Sequence, residues 1–182
     1  YLRCIPNMII CTPSDENEAR HLLTTAYLHK GPASVRYPRG IGPNTKINED
    51  LNPFDIGKAK LIIKGSPKII ILNFGALISE AKEVASSLEL TLIDMRFVKP
   101  LDEEILKEYL SKADWFITIE DGSIMGGAGS SVQEFCSREG INIKSILFGI
   151  PDKFIDHASR EEMIEDAGLS ANKIKSKLKK LL

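Results

Sequence analysis

Two arginines stand close together in GPASVRYPRG, residues 31–40, where an apolar, strand-like run ends. Arg36 and Arg39 each carry a guanidinium, a planar fork of hydrogen-bond donors that fits a carboxylate or a phosphate. Pro38 restricts the backbone between them, and Gly40 allows the main chain to turn closely. The pattern alone is compatible with two interpretations: a phosphate receptor, or a strand end that carries two solvated charges.

The segment richest in glycine is EDGSIMGGAGSS, which begins at Glu120 and lies between a predicted strand and a predicted helix. Backbone N–H groups at such a helix start can hold an anion. The glycine spacing, however, matches neither a Walker phosphate loop nor the G-x-G-x-x-G fingerprint, and the flank is acidic at Glu120 and Asp121. We therefore interpret the segment as a closely packed strand-to-helix turn, with an anion site as the alternative.

A third polar segment, DMRFVKPLD, places Asp94, Arg96 and Lys99 at the carboxyl end of a predicted strand. Ligands of open α/β sheets bind outside that edge. The alternative, which we favour, is a charge pair that holds a loop, with Pro100 and Leu101 opening the next helix.

Residues that commonly bind metals or act as nucleophiles are few and scattered. No histidine has a partner at metal-ligand or Ser-His-Asp spacing, and we expect all three to be structural or exposed: His21, His29 and His157. The cysteines are odd in number and lack metal spacing, which predicts reduced thiols in a cytosolic protein: Cys4, Cys11 and Cys136.

Composition excludes several classes of function. Of 182 residues, 43% are hydrophobic and 27% charged, as in ordinary globular proteins. The net charge of −1 argues against a general nucleic-acid or membrane-surface role, because both need a basic excess. No apolar run reaches the roughly 18 to 20 residues that cross a bilayer. The lysine-rich end places Ile174, Leu178 and Leu181 on one helical face, which predicts a packed helix with a solvated basic side.

The first 40 residues predict a β-α-β unit. NMIICT and PASVRYP read as strands, and the intervening helix places its apolar residues on one face: Ala19, Leu22, Leu23, Ala26 and Tyr27. Two parallel strands do not make a stable sheet, so the unit needs partner strands. The chain begins without methionine and enters an apolar run at once, so we expect it to be a piece of a longer protein.

Residues 41–54 carry proline and asparagine without periodicity, which predicts a linker. From residue 55 to 182 strands and helices alternate, which indicates an α/β domain with a mostly parallel sheet covered by helices. KAKLIIK and KIIILNFG read as two strands around a Gly-Ser-Pro turn, and LTLIDMRFV reads as a single strand.

Several distinctive strings now stand in one order along nearly the whole chain: YLRCIPNM, TPSDENEAR, GPASVRYPRG, LNFGALISEA, LIDMRFVKPLD, IMGGAGSSVQE and GIPDKFI. Together they resemble the 1-deoxy-D-xylulose-5-phosphate synthase family, thiamine-diphosphate enzymes of the transketolase type. The resemblance covers the carboxyl-terminal portion of that family. It implies that residues 1–40 are the tail of a pyrimidine-binding domain and that residues 55–182 are a transketolase-like C-terminal domain.

The resemblance implies an enzyme that decarboxylates pyruvate and joins the two-carbon unit to glyceraldehyde 3-phosphate. The product serves isoprenoid, thiamine and pyridoxal synthesis. The second arginine of VRYPRG, Arg39, matches the family arginine that binds the aldehyde's phosphate, whereas for Arg36 we expect a structural ion pair. The full-length enzyme is expected to be a cytoplasmic homodimer from a bacterium, with a plastid enzyme as the alternative.

In the family, the site for thiamine diphosphate and magnesium, the activating glutamate and the catalytic histidines all lie upstream of Tyr1. The resemblance therefore implies no catalytic, cofactor or metal residue in this chain, which we expect to be inactive alone and to bind no cofactor. Two alternatives remain: another transketolase-like enzyme, such as the β subunit of a 2-oxoacid dehydrogenase, or a free-standing α/β module that dimerises or regulates.

Overall fold

The fold is described by a computed structural model that covers residues 1–40 and 42–181. A 3₁₀ turn at Leu2–Cys4 precedes the first strand. The strands are β1 (Ile9–Cys11), β2 (Ala33–Val35), β3 (Lys60–Ile63), β4 (Ser66–Phe74), β5 (Leu90–Asp94), β6 (Phe97–Lys99), β7 (Trp115–Ser123) and β8 (Lys144–Ile150). The α-helices are α1 (Glu16–Leu28), α2 (Ile78–Leu88), α3 (Glu103–Leu110), α4 (Ala128–Glu139), α5 (Arg160–Asp166) and α6 (Ala171–Leu181).

The amino-terminal β-α-β unit forms as the sequence predicts. Asp15 caps α1, because its side chain accepts a hydrogen bond from the Glu18 N–H at 2.8 Å. β1 and β2 pair in parallel, with Ile9 opposite Ala33. β6 pairs with β1 on the other side in antiparallel sense and completes a sheet of order β2-β1-β6. The later part of the chain therefore supplies a partner strand for the first.

The larger sheet has the order β3-β5-β4-β7-β8. β5, β4, β7 and β8 are parallel, and β3 is an antiparallel edge strand. Its two faces carry separate cores, one with α2 and α6 around Ile71 and Ile117 and the other with α3 and α4 around Ile70 and Phe116. This confirms the predicted α/β class with a mostly parallel sheet covered by helices.

The prediction of one strand through LTLIDMRFV is wrong. β5 ends at Asp94, and β6 begins at Phe97 and joins the other sheet. Between them, Arg96 has φ of 57°, a left-handed conformation that is uncommon outside glycine. The Gly-Ser-Pro turn is also displaced, because β4 already begins at Ser66 and β3 pairs with β5 instead of β4.

The predicted apolar face of α1 is only partly buried. Leu22 is fully buried in a small core with Ile9 and Phe97. Leu23 and Tyr27, predicted on the same face, are 49% and 87% exposed. The sheet β2-β1-β6 covers the Leu22 side of the helix and does not reach the other two, so the prediction is wrong for them.

Residues 42–54 form neither helix nor strand, and hydrogen bonds tie them to α1. The N–H groups of Asn44 and Thr45 donate to the Glu16 carboxylate at 2.8 and 3.2 Å. The Phe54 N–H donates to Thr25 Oγ1 at 2.8 Å. The segment is therefore held against the helix at both ends.

At the end of the chain, the predicted amphipathic helix is confirmed, since Ile174 and Leu178 of α6 are fully buried. The Leu181 side chain, Ile41 and Leu182 lie outside the described residues.

Candidate functional site

The VRYPRG segment follows β2, and most of its residues are exposed. The Arg36 N–H still donates to the Cys11 carbonyl at 2.9 Å, which ties the segment to the end of β1. Beyond that bond, Arg39 is exposed, and Gly40 has φ of 135°, a conformation that favours glycine. No ion pair within the described chain involves Arg39. The structure thus presents the Arg39 guanidinium to solvent at the end of a strand.

A cleft of about 310 Å³ lies beside this segment. Its walls come from the VRYPRG segment, the starts of α1 and α2, and the first residue of α5; the lining includes Tyr37, Pro38, Gly40, Ser79, Glu80 and Arg160. The Arg160 side chain reaches the segment, since its Cδ lies 3.9 Å from the position of a Cβ at Gly40. The cleft places a second guanidinium next to the segment that carries Arg39.

An ion pair joins α1 to the loop between β5 and β6. Arg96 Nε and Nη2 each donate to the Glu18 carboxylate at 2.7 Å. The Arg96 guanidinium also lies over the Phe54 ring, 4.0 Å from its centroid. This confirms the charge-pair interpretation of the DMRFVKPLD segment, and the pair accompanies the left-handed Arg96 backbone.

The other polar residues of DMRFVKPLD also bind the amino-terminal unit. Asp94 is almost fully buried and accepts a hydrogen bond from Ser14 Oγ at 2.6 Å. Burial raises the pKa of Asp94 to about 6, and the neighbouring Glu18 carboxylate adds to that effect. Lys99 Nζ donates to the carbonyls of Arg3 and Ile5 at 2.9 and 2.6 Å. The carboxyl edge of β5 is therefore a packed seam between the two parts of the chain.

The glycine-rich segment has an internal anion at its helix start. The Glu120 carboxylate accepts hydrogen bonds from the N–H groups of Ala128 and Gly129, both at 2.9 Å. A Cβ at Gly127 would lie 2.0 Å from the Ser123 carbonyl oxygen, and one at Gly129 would lie 2.6 Å from Thr118 Oγ1. These contacts confirm close packing. The alternative of an external anion site is wrong for this helix start, because Glu120 occupies it.

The histidines are structural or exposed, as predicted. His21 Nδ1 lies 2.7 Å from the Asn52 carbonyl, and its ring packs on Phe54 at 4.9 Å between centroids. His29 Nε2 lies 3.0 Å from the Asn7 carbonyl. His157 is exposed.

The cysteines are all free thiols, with one exposed and two buried: Cys4, Cys11 and Cys136. Burial raises the pKa of Cys11 to about 12, which makes that thiol unreactive at neutral pH. Within residues 1–40 and 42–181, no group of three or more histidine, cysteine or acidic side chains is placed to hold a metal ion. No helix among those residues has the length and apolarity that crossing a membrane requires.

Sequence reasoning identified Arg36, Arg39, Asp94, Arg96 and Lys99 as candidates but missed two acids: Glu18, which pairs with Arg96, and Glu120, which faces Arg36 across Gly122. Glu18 reads as a favourable first-turn acid of a helix, and Glu120 reads as the flank of a glycine turn. Local spacing contains no signal that connects either acid to an arginine far away in the chain.

Comparison with family models matches both parts of the chain. Residues 57–174 match the transketolase C-terminal domain, and residues 1–44 match the transketolase pyrimidine binding domain.

Among curated relatives, 1-deoxy-D-xylulose-5-phosphate synthase of Pseudomonas aeruginosa strain LESB58 is 48% identical over all 182 residues. The same enzyme of Stutzerimonas stutzeri is 49% identical over 182 residues, and that of Pseudomonas fluorescens is 51% identical over 170 residues, or 93% of this chain. The chain spans 27 to 29% of the length of these relatives.

Two solved structures have the same fold. A split-gene transketolase, described as an inactive β4 tetramer, aligns with a TM-score of 0.79 and 26% identity over 98% of this chain and 58% of its own. Transketolase of Campylobacter jejuni aligns with a TM-score of 0.66 and 18% identity over 97% of this chain and 27% of its own. The family model, the relatives and the fold agree, and the chain belongs to the transketolase family.

Proposed function

We propose that this chain is the carboxyl-terminal part of a 1-deoxy-D-xylulose-5-phosphate synthase. The whole enzyme would decarboxylate pyruvate and join the two-carbon unit to glyceraldehyde 3-phosphate, giving 1-deoxy-D-xylulose 5-phosphate and carbon dioxide. The observation that carries the proposal is the 48% identity to such synthases over all 182 residues.

Within that reaction, Arg39 binds the phosphate of glyceraldehyde 3-phosphate. The exposed guanidinium at the end of β2 supports this role, since it is available to a ligand and the residues on either side of Arg39, Pro38 and Gly40, line a cleft of about 310 Å³. A phosphate dianion needs fixed positive donors, and arginine can supply two parallel N–H bonds. Holding the phosphate positions the aldehyde for attack, and positioning contributes much of an enzyme's rate.

Thiamine diphosphate and magnesium belong, in this proposal, to the part of the synthase outside this chain. Two observations on the described residues support this placement. The glycine-rich helix start that could hold a diphosphate is filled by the Glu120 carboxylate, and the described residues include no acidic or histidine cluster placed for a metal. We therefore propose no catalytic, cofactor or metal residue in this chain, and we propose that the chain alone is inactive.

The proposed division of the chain follows the same assignment. Residues 1–40 are the tail of the pyrimidine-binding domain, residues 41–54 are a linker, and residues 55–182 are the C-terminal domain. The full-length enzyme is proposed to be a cytoplasmic homodimer of bacterial origin.

The full-length protein tests this function directly. With thiamine diphosphate, magnesium, pyruvate and glyceraldehyde 3-phosphate, mass spectrometry should detect 1-deoxy-D-xylulose 5-phosphate with release of carbon dioxide. A protein that decarboxylates pyruvate but transfers its product to lipoamide would instead be a 2-oxoacid dehydrogenase subunit. The isolated 182-residue chain should show no thiamine diphosphate binding by calorimetry.

A further inference from the structure

Arg36, three residues before Arg39, faces Glu120 across Gly122. Arg36 Nη1 lies 3.3 Å, and Glu120 Oε2 lies 2.9 Å, from the position that a Cβ would occupy at Gly122. Burial raises the pKa of Glu120, while the N–H groups of Gly129 and Ala128 and the positive charge of Arg36 act against that rise. The described chain has no ion pair within 4 Å for Arg36, so the expected short ion pair is absent and the attraction acts at somewhat longer range.

Glu120 is fixed whether or not Arg36 is present. Its carboxylate is 2% exposed and bound by two N–H groups at the start of α4, a helix of 12 residues. The positive end of the helix dipole favours a negative charge at that place. Glu120 therefore offers Arg36 a rigid, charged partner that belongs to the larger sheet.

Arg36 is in turn held at its backbone, because its N–H donates to the Cys11 carbonyl at 2.9 Å. Pro38 restricts the next turn of the main chain, and Arg39 follows directly. A change in the position of Arg36 is thus transmitted over a short, stiff stretch to Arg39.

Gly122 leaves the space in which the two charges approach each other. A Cβ there would lie 2.9 Å from Glu120 Oε2, which is closer than Cβ contacts in real proteins. It would also lie 3.3 Å from Arg36 Nη1, which is a tight contact. Since Glu120 is pinned by two hydrogen bonds, the Arg36 side chain is the group that would move.

We propose that Glu120 and Gly122 position Arg39 for phosphate binding by holding Arg36 at the end of β2. This inference rests on the proposed function of Arg39. In this proposal Arg36 and Glu120 are positioning residues, which do not touch the substrate. Glu120 belongs to the larger sheet, so that sheet contributes to the selection of a phosphorylated aldehyde.

The test is steady-state kinetics of the full-length enzyme with Arg36→Met, using glyceraldehyde 3-phosphate and unphosphorylated D-glyceraldehyde as alternative acceptors. We expect kcat/KM for the phosphorylated aldehyde to fall by about threefold to thirtyfold, in the range of couplings between neighbouring residues. The values for D-glyceraldehyde and the KM for pyruvate should not change. Arg36→Lys should recover part of the loss, and Gly122→Ala should reproduce it.

Arg138→Met is the matched control, because Arg138 is an exposed arginine of α4 that pairs with Glu103 and Glu139. An equal loss with both aldehydes, or no loss at all, would overturn the inference. Glu120→Gln is a second test, provided that this variant folds. If it does not fold, Arg36→Met still tests the inference, because Arg36 is exposed.

Arg39→Met is measured in parallel and separates the two claims. If Arg39→Met affects both aldehydes alike, the proposed function of Arg39 is itself wrong. If Arg39→Met discriminates between the aldehydes and Arg36→Met does not, only the positioning inference fails.

Discussion

Arg96 and Glu18, 78 positions apart in the chain, form a two-point ion pair in which two guanidinium nitrogens each lie 2.7 Å from a carboxylate oxygen. Both side chains are largely buried, at 13% and 8% exposure, and Phe54 of the 42–54 segment stacks on the guanidinium. The pair therefore connects three parts of the molecule: helix α1, the segment that follows the first unit, and the loop that leaves the larger sheet.

Arg96→Met should destabilise the protein strongly. The substitution leaves the Glu18 carboxylate buried, and among the described residues the basic group that remains within 4 Å is Lys60 Nζ, at 3.9 Å. Removing one partner of a buried ion pair costs about 3 to 5 kcal/mol. Urea unfolding of the full-length enzyme measures the change. The control is Arg138→Met, whose pair with Glu103 is about half exposed and screened by solvent, so its loss should change the free energy of unfolding far less. Equal effects of the two substitutions would contradict the assignment.

Asp94 should make stability depend on pH. Burial raises its pKa from 3.8 to about 6 in the folded protein, so the folded state holds this proton more tightly than the unfolded state. Stability from this group is present below about pH 4 and is lost as the pH rises to about 6, by roughly 3 kcal/mol.

Asp94→Asn keeps an acceptor for Ser14 and removes the titration. The difference between the unfolding free energies of the variant and the wild type should therefore change between pH 4 and 7, with the variant gaining relative stability at the higher pH. A constant difference over that range would show that Asp94 does not carry the effect.

Gly127→Ala should destabilise the start of α4. The new Cβ would lie 2.0 Å from the Ser123 carbonyl oxygen and 2.6 Å from Glu120 Oε2, so the backbone has to move. Overpacking of this kind costs about 1 to 3 kcal/mol. Thermal unfolding measures it against Ser130→Ala, which removes only a 3.3 Å hydrogen bond to the Ile124 carbonyl. A Gly127→Ala protein as stable as the control would rule out the close packing described here.

Local patterns predicted the elements well because the forces that define them are local. The cap at Asp15 and the apolar run around Ile9 to Cys11 predicted a β-α-β unit, and alternating strands and helices predicted the larger sheet. The apolar strands β4 and β7 have the composition of strands buried on both faces, and both faces are in fact covered.

Long-range contacts decided the points that the sequence did not predict. The strand-like sequence from Leu90 to Val98 is interrupted, because the left-handed Arg96 is stabilised by a carboxylate on α1. Leu23 and Tyr27 have helical spacing typical of burial, but exposure depends on which strands lie beside α1.

The candidate site was predictable only in part. Arg39 could be named from a resemblance, since a single exposed arginine has no local signature of its ligand. Arg36 and Glu120 face each other because β2 and β7 lie close together in the fold. The spacing of residues along the chain does not predict that arrangement.

The central claim is tested most directly by Arg39→Met in the full-length enzyme, with glyceraldehyde 3-phosphate and D-glyceraldehyde compared at saturating pyruvate. Losing charge-assisted hydrogen bonds should cost roughly 1.5 to 3 kcal/mol, so kcat/KM for the phosphorylated aldehyde should fall by a factor of about ten to a hundred. The value for D-glyceraldehyde and the apparent affinity for pyruvate should stay the same. An enzyme that keeps its preference for the phosphorylated aldehyde after this substitution would contradict the account, and VRYPRG would then be a strand end with two solvated charges.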